Sequence, residues 1–440
     1  DQFQGTLFYT YYKGKVAAEM MNKMGYDAMT VGNHEFDDGP EVLRGFVNSV
    51  KFTVLMSNAD LTGEPQLRDV IRKSIVIERG GEKIGLIGLT PQNTAELSSP
   101  GKGIMFTDPV GAVQIEVDQL TAEGITKIIV LSHSGYSVDK KVAAETTGVD
   151  VIVGGHSNTL LSNVQEGAVG RYPTMINDTA IVQAYAYGKF LGELNVTFDD
   201  EGKIKEARGE PLIIDGKVAE DEATKAQIAE LAKPLDEIRN RVVGETADAI
   251  DGDEGNCRFS ECSMGNLVAD AMLARVAGQG VTVAIQNGGG LRASIDPGAV
   301  TMGEVLTVLP FLNTLATFQI EGALLVSALE NGVSQVEEGA GRFPQVAGIK
   351  FSWDSSAAAG SRVSGVMVME NGAWEPINPE KNYSVVTNNF VRNGGDGYTM
   401  FISDSTNAYD FGPGLEHVVA DYLAANSPYK PYVDGRIDRK

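Results

Sequence analysis

The chain has 440 residues, 42% hydrophobic and 22% charged, long enough to bury two sizeable cores. Its 59 Asp and Glu outnumber 36 Lys and Arg, and a formal charge of −23 argues against general binding to nucleic acid or to an anionic membrane surface. No apolar run approaches the ~18 residues of a spanning helix, and the C-terminal PYVDGRIDRK is too polar for a lipid-anchor tail.

The sequence opens at Asp1-Gln2-Phe3-Gln4-Gly5-Thr6 with no initiator Met and no lead-in, so the lack of a visible targeting segment carries no weight. Short apolar runs rich in β-branched residues follow at 27–33, 52–58, 83–89, 126–132 and 149–154, and predict buried strands. Helical patterns at 12–24, 109–123 and 138–146 alternate with them, which predicts a layered α/β domain over 1–215. Runs at 181–187 and 190–198 predict further strands closing that domain. Residues 217–241 are charged, Ala-rich and helical in period, and predict a linking helix over 216–241, kinked or restarted at Pro234. A second α/β region, 242–440, carries predicted strands near 281–286, 314–320 and 383–389.

The four histidines are His34, His133, His156 and His417. The first three each follow an apolar strand, in Val31-Gly32-Asn33-His34, Leu131-Ser132-His133 and Val153-Gly154-Gly155-His156. Loops after strand C-termini are where α/β folds gather ligands. One such histidine is best read as a satisfied strand-end residue. Three in one pattern, with Asn and Asp nearby, point to a divalent-metal site. His417 lies in the helical pattern LEHVVADYLA and reads as a plain helix residue. The two cysteines, Cys257 and Cys262, admit either a short bridge or two unpaired thiols near one turn. Gly288-Gly289-Gly290 after a strand predicts a tight turn close to a ligand or another segment.

Several motifs carry a resemblance. Gly32-Asn33-His34-Glu35-Phe36-Asp37 is similar to the GNHEFD signature of metallophosphoesterases. Asp1 to Thr6 resembles the tail of their GDxxQGT motif, and Gly154-Gly155-His156-Ser157-Asn158-Thr159 resembles the GGHSxT motif of 5′-nucleotidases. The order is that of the 5′-nucleotidase family, with its ecto-enzymes and its bacterial periplasmic 5′-nucleotidase/UDP-sugar hydrolases, and the similarity spans the chain. The resemblance implies a calcineurin-like four-layer α/β sandwich lacking its first strand, plus a separate α/β C-terminal specificity domain, with the active site between them. It implies two divalent ions, Zn or Mn, with Asp1 bridging them. Asn33, His133 and His156 would complete one shell, and Asn158 would serve the other. His34 would act on the phosphoryl group and its leaving oxygen, oriented by Asp37, with Asp38 a solvated neighbour. In the family a first strand ends in an Asp-x-His pair that supplies two further ligands. None precedes Asp1, so one metal site is expected to be incomplete in this chain, with one tightly bound ion and poor turnover.

The same resemblance extends to Cys257-Arg258-Phe259-Ser260-Glu261-Cys262, where it implies a disulfide loop enclosing a phosphate-facing Arg258. It implies that Asn287 contacts the base and Arg292 the phosphate, within Asn287-Gly288-Gly289-Gly290-Leu291-Arg292. Phe311 and Tyr398 would sandwich the base, and Asp404 would bind the ribose hydroxyls. Without the resemblance, both aromatics read as core residues. The implied activity is metal-dependent hydrolysis of nucleoside 5′-monophosphates, outside the cytoplasm. The alternatives are a broader hydrolase of UDP-sugars, nucleoside diphosphates or 2′,3′-cyclic nucleotides, or a nucleotide-binding fragment with impaired catalysis.

Overall fold

The computed structural model describes residues 1–440 apart from Gly5, Asn371 and Phe411, and every side chain among them except that of Glu96. Gly5, part of the opening motif, thus lies outside the described residues. The chain divides into two compact units. The first comprises Asp1–Phe3 and Tyr12–Gln227, the second Gln4–Tyr11 and Ile228–Lys440. The division falls inside helix Glu222–Arg239, within the segment expected to link two domains. That helix runs through Pro234 in one piece.

The first unit is built on a six-stranded sheet in the order Ser74–Arg79, Glu82–Leu89, Ile128–Ser132, Val151–Val153, Thr179–Val182, Thr174–Ile176. Its four central strands run parallel, and each edge strand is antiparallel. Ala28–Thr30 and Thr53–Leu55 form a separate parallel pair. That pair lies against the sheet: Ser57 N donates to Gly88 O (2.8 Å), and Gly88 has no room for a Cβ, which would lie 2.4 Å from Leu55. The apolar runs are therefore continuous because both faces of the parallel strands are covered. Ile87, Val130, Ile152 and Ile181 pack with Val113, Val117 and Leu120 of helix Pro109–Ala122. That helix begins where expected, because Asp108 accepts from Gly111 N (2.8 Å) and Pro109 occupies the first turn. Parallel strands that end together place the residues after Thr30, Ser132 and Val153 in neighbouring loops.

The second unit holds a mixed five-stranded sheet in the order Pro344–Ala347, Val283–Asn287, Asn382–Asn388, Leu315–Glu321, Thr406–Tyr409. Alternate side chains of one strand enter two cores: Val283 and Ile285 in one, Ala284 in the other. Helix Ser263–Val276 packs into the second core and buries residues on all sides, including Met264, Leu267, Val268 and Met272. A four-stranded sheet, Ala373–Pro376, Val363–Glu370, Ile349–Trp353, Ile437–Arg439, completes the unit. Among the described residues no helix is long and apolar enough to cross a membrane.

Candidate metal centre and nucleotide-facing residues

Three of the predicted ligands come together in the first unit. Ligand atoms of Asp1, His133 and His156 all lie within 4.8 Å of one another. His133 Nε2 stands 2.7 Å from Asp1 Oδ2, and the rings of His133 and His156 are 5.2 Å apart. Asp1 also accepts the backbone N–H of His34 through Oδ1 (2.9 Å). Gly32 abuts that carboxylate so closely that a Cβ there would lie 2.1 Å from Asp1 Oδ1. Burial holds the His133 imidazole well below its usual pKa. It therefore stands neutral, the form a metal ligand requires.

These residues fit a divalent ion on an independent observation. Asn33 is buried, and its side-chain Oδ1 has no hydrogen-bond partner. A buried amide oxygen without a partner costs about 1–3 kcal/mol, so native structures rarely leave one. Asn33 lies in the chain between Gly32, which abuts Asp1, and His34, whose N–H donates to Asp1, and an amide oxygen, a carboxylate and two imidazoles are donors that Zn²⁺ or Mn²⁺ accepts. His156 and Asn158 both adopt left-handed backbone, with φ of 70° and 51°. For residues other than glycine such backbone is sparsely populated and clusters at ligand sites.

His34 is held differently. Its Nδ1 pairs with Asp37 Oδ2 at 2.6 Å, and Ser98 Oγ donates to Asp37 Oδ1 at 2.6 Å. The contact restrains the ring. Asp38 instead pairs with Lys13 Nζ (3.1 Å) at the surface.

Two carboxylates that sequence reasoning gave no role brace the ligand loops. Glu35, fully buried, accepts the backbone N–H groups of Gln2, Phe3 (3.2 Å) and Gly32 (2.7 Å). It thereby joins the segment bearing Asp1 to the loop bearing Asn33. Asp139, also fully buried, accepts from Ser132 Oγ (2.5 Å), next to His133. Its other oxygen fills the space where Gly154 would carry a Cβ, 2.3 Å away. Gln183 continues the brace, donating to Gly155 O (3.1 Å) and accepting from Ser157 Oγ (3.2 Å) and Thr159 N. Only Glu35 left a trace in the sequence, as part of the signature; nothing distinguished Asp139 from a surface helix residue.

In the second unit Cys257 and Cys262 form a disulfide, both fully buried. The enclosed Arg258 donates through Nη1 to Gly339 O (3.2 Å). The triple glycine is a close approach between segments. A Cβ on Gly288 would lie 2.5 Å from Cys257 O, and one on Gly289 would lie 2.8 Å from Gly341 Cα. This packing brings Arg292 beside the disulfide turn, and its guanidinium lies 5.8 Å from the half-buried Phe311 ring. Asn287 is buried. Its Nδ2 donates to Asp396 Oδ2 (2.7 Å), and its Oδ1 accepts from Asn388 (2.9 Å) and Gln286 (3.1 Å). Tyr398 has no exposed surface; its ring stacks on Phe401 (5.2 Å) and its hydroxyl donates to Arg342 O (2.7 Å). In this structure Tyr398 is packed as a core aromatic, because the turn Gly395–Gly397 directs it into the sheet's apolar side. Asp404 is exposed at the end of helix Met400–Ser403. His417 is exposed in helix Leu415–Ala425, paired with Glu416 (2.8 Å).

Comparison with known proteins identifies the family of both parts of the chain. Residues 1–159 match the family model of the calcineurin-like phosphoesterases, and residues 242–403 match that of the 5′-nucleotidase C-terminal domain. The chain is 38% identical to the 5′-nucleotidase of Rattus norvegicus over 99% of its own length and 80% of the relative's. It is 36% identical to a trifunctional nucleotide phosphoesterase of Bacillus subtilis, over 99% of this chain and 32% of the relative. A crystal structure described as a 5′-nucleotidase precursor from Thermus thermophilus superposes with a TM-score of 0.95 at 40% identity, covering 99% of this chain and 88% of that one.

Proposed function

We propose, for a chain that belongs to the 5′-nucleotidase family, that Asp1, Asn33, His133 and His156 hold a divalent ion that serves the hydrolysis of nucleoside 5′-monophosphates. The chain is a phosphoester hydrolase acting as a 5′-nucleotidase. The observation that carries the site assignment is the convergence of Asp1, His133 and His156 within 4.8 Å, with Asn33 Oδ1 buried and unpartnered.

The family implies divalent metal; the mixed imidazole, carboxylate and amide donors favour Zn²⁺ or Mn²⁺. Asp1 and Asn158 would contribute to a second ion. A divalent ion held by these residues would supply a water of lowered pKa and neutralise phosphoryl charge. His34, fixed by Asp37, stabilises the phosphoryl oxygens and gives a proton to the departing 5′-oxygen. Arg258 and Arg292 receive the phosphate through guanidinium forks. Phe311 offers the half-buried ring on which a base can stack, and the exposed Asp404 offers a carboxylate to the ribose hydroxyls; Tyr398, buried against Phe401, and Asn287, its amide already bonded, do not face a base in this structure. The buried disulfide supports an address outside the cytoplasm, periplasmic or secreted.

A wider substrate range has its own support. The Asn287 amide is already used by Asp396, Asn388 and Gln286, which leaves stacking, tolerant of different bases, as the main hold on the nucleobase. A panel of AMP, UMP, ADP, UDP-glucose, 2′,3′-cyclic AMP and p-nitrophenyl phosphate tests both readings. The monophosphates should give the highest kcat/KM, with little difference between bases. Phe311→Ala should lower kcat/KM for AMP roughly tenfold or more, the size of one lost stack, and spare p-nitrophenyl phosphate. Equal loss on both substrates would make Phe311 a core residue. A higher kcat/KM for a diphosphate, sugar or cyclic substrate would overturn the monophosphatase reading.

A further inference from the structure

Arg258 and Arg292 share a partner that is itself an anion. Arg258 Nη2 lies 3.1 Å from Glu254 Oε1, and Arg292 Nη2 lies 3.3 Å from the same oxygen. The three side chains are only partly exposed, at 19%, 25% and 27% for Arg258, Arg292 and Glu254, so solvent screens them incompletely. Glu254 opens the turn Glu254–Cys257, capped by Asp253 and ended at the disulfide, so its backbone is fixed next to both arginines. A carboxylate and a phosphoryl group offer the same thing to a guanidinium: oxygen acceptors spaced for its fork. Glu254 Oε1 thus holds, between two guanidiniums, the position a phosphoryl oxygen would take.

We infer that Glu254 is a built-in competitor of the substrate phosphate, which sets how tightly the Arg258–Arg292 pair holds phosphorylated ligands. The inference rests on reading the two arginines as phosphate contacts. If Glu254 swings away, the substrate bears the cost of breaking two charge-assisted contacts. If it stays, the trio presents one net positive charge instead of two. Both routes weaken phosphate binding without touching the nucleoside. Both also favour release of inorganic phosphate, the product that would otherwise occupy the same donors.

The test uses the metal-supplemented enzyme and three ligands: AMP as substrate, inorganic phosphate and adenosine as inhibitors. Glu254→Gln keeps the shape and removes the charge; Glu254→Ala serves if the amide disturbs the turn, and thermal unfolding confirms that each variant folds. Either variant should lower KM for AMP and Ki for phosphate by roughly 3- to 10-fold, between the effect of an exposed pair and that of a desolvated one. The gain should shrink in high salt, and Ki for adenosine should not move. An unchanged or raised KM and phosphate Ki in both variants overturns the inference, as does an equal gain for adenosine. Arg258→Ala and Arg292→Ala are measured alongside. If they raise KM for AMP while the Glu254 variants do nothing, the competitor role alone fails. If they leave KM unchanged, the phosphate-contact reading fails and takes the inference with it.

Discussion

At the scale of single residues, His34 and Asp139 make the sharpest claims. His34 sits in the metal-site signature but is held by Asp37, not grouped with the ligands. His34→Ala should lower kcat by ~10²–10³, the usual loss for one preorganised transition-state contact, with metal content unchanged by elemental analysis. Loss of metal would make it a ligand, and near-normal turnover would remove its role. Asp139 is raised by burial from 3.8 to about 7. The folded chain therefore keeps its proton where the unfolded chain has released it. Stability from this group is complete below about pH 4 and falls as pH rises to about 7, by roughly 4 kcal/mol at most. Asp139→Asn cannot ionise and escapes that loss. In metal-free protein it should gain roughly 2–3 kcal/mol on the native chain between about pH 5 and pH 8, read from urea unfolding. Parallel pH profiles would show that the buried carboxyl does not titrate as described. His34, His133 and His156 were legible because each ends an apolar run. Asp139 was not, because an Asp in the helical pattern Tyr136–Glu145 looks like any solvated position until tertiary packing closes over it.

At the scale of elements, periodicity was most legible where burial is strongest. The runs at 83–89 and 126–132 correspond to strands Glu82–Leu89 and Ile128–Ser132, and 109–123 to helix Pro109–Ala122. The run at 27–33 overstates Ala28–Thr30, because its last residues leave the sheet to form the loop that carries Asn33 and His34. Strand Phe190–Phe198 was expected, but its partner Ile204–Ile213 was not. Half of that partner's residues are solvent-exposed, and IKEARGEPLI has charged residues where an apolar face would show. Helix Ser263–Val276 escaped for the opposite reason: it is buried nearly all round and so carries little amphipathic contrast. Motif resemblance and packing also speak to different things. The triple glycine was legible as a close approach, and the Gly288 and Gly289 contacts with Cys257 and Gly341 have that character. Whether an aromatic after Asp396-Gly397 faces a base or a core cannot be seen in the motif, and here Tyr398 faces Phe401.

At the scale of the whole molecule, the proposed site draws on both units: the first gathers Asp1, His133 and His156 and holds His34 against Asp37, the second gathers Arg258, Arg292 and Phe311 near a disulfide. On the proposed reading a chain of formal charge −23 would act on an anionic substrate through local cations: a metal held in one unit, and Arg258 and Arg292 in the other. The central claim, hydrolysis of nucleoside monophosphates that depends on divalent metal, is tested most directly by one measurement. Phosphate release from AMP is followed in chelator-stripped protein, before and after addition of Mn²⁺ or Zn²⁺. Release should be at background when stripped and should rise at least tenfold with one of these ions. Release that persists at full rate without metal, or that no divalent ion restores, would contradict the account.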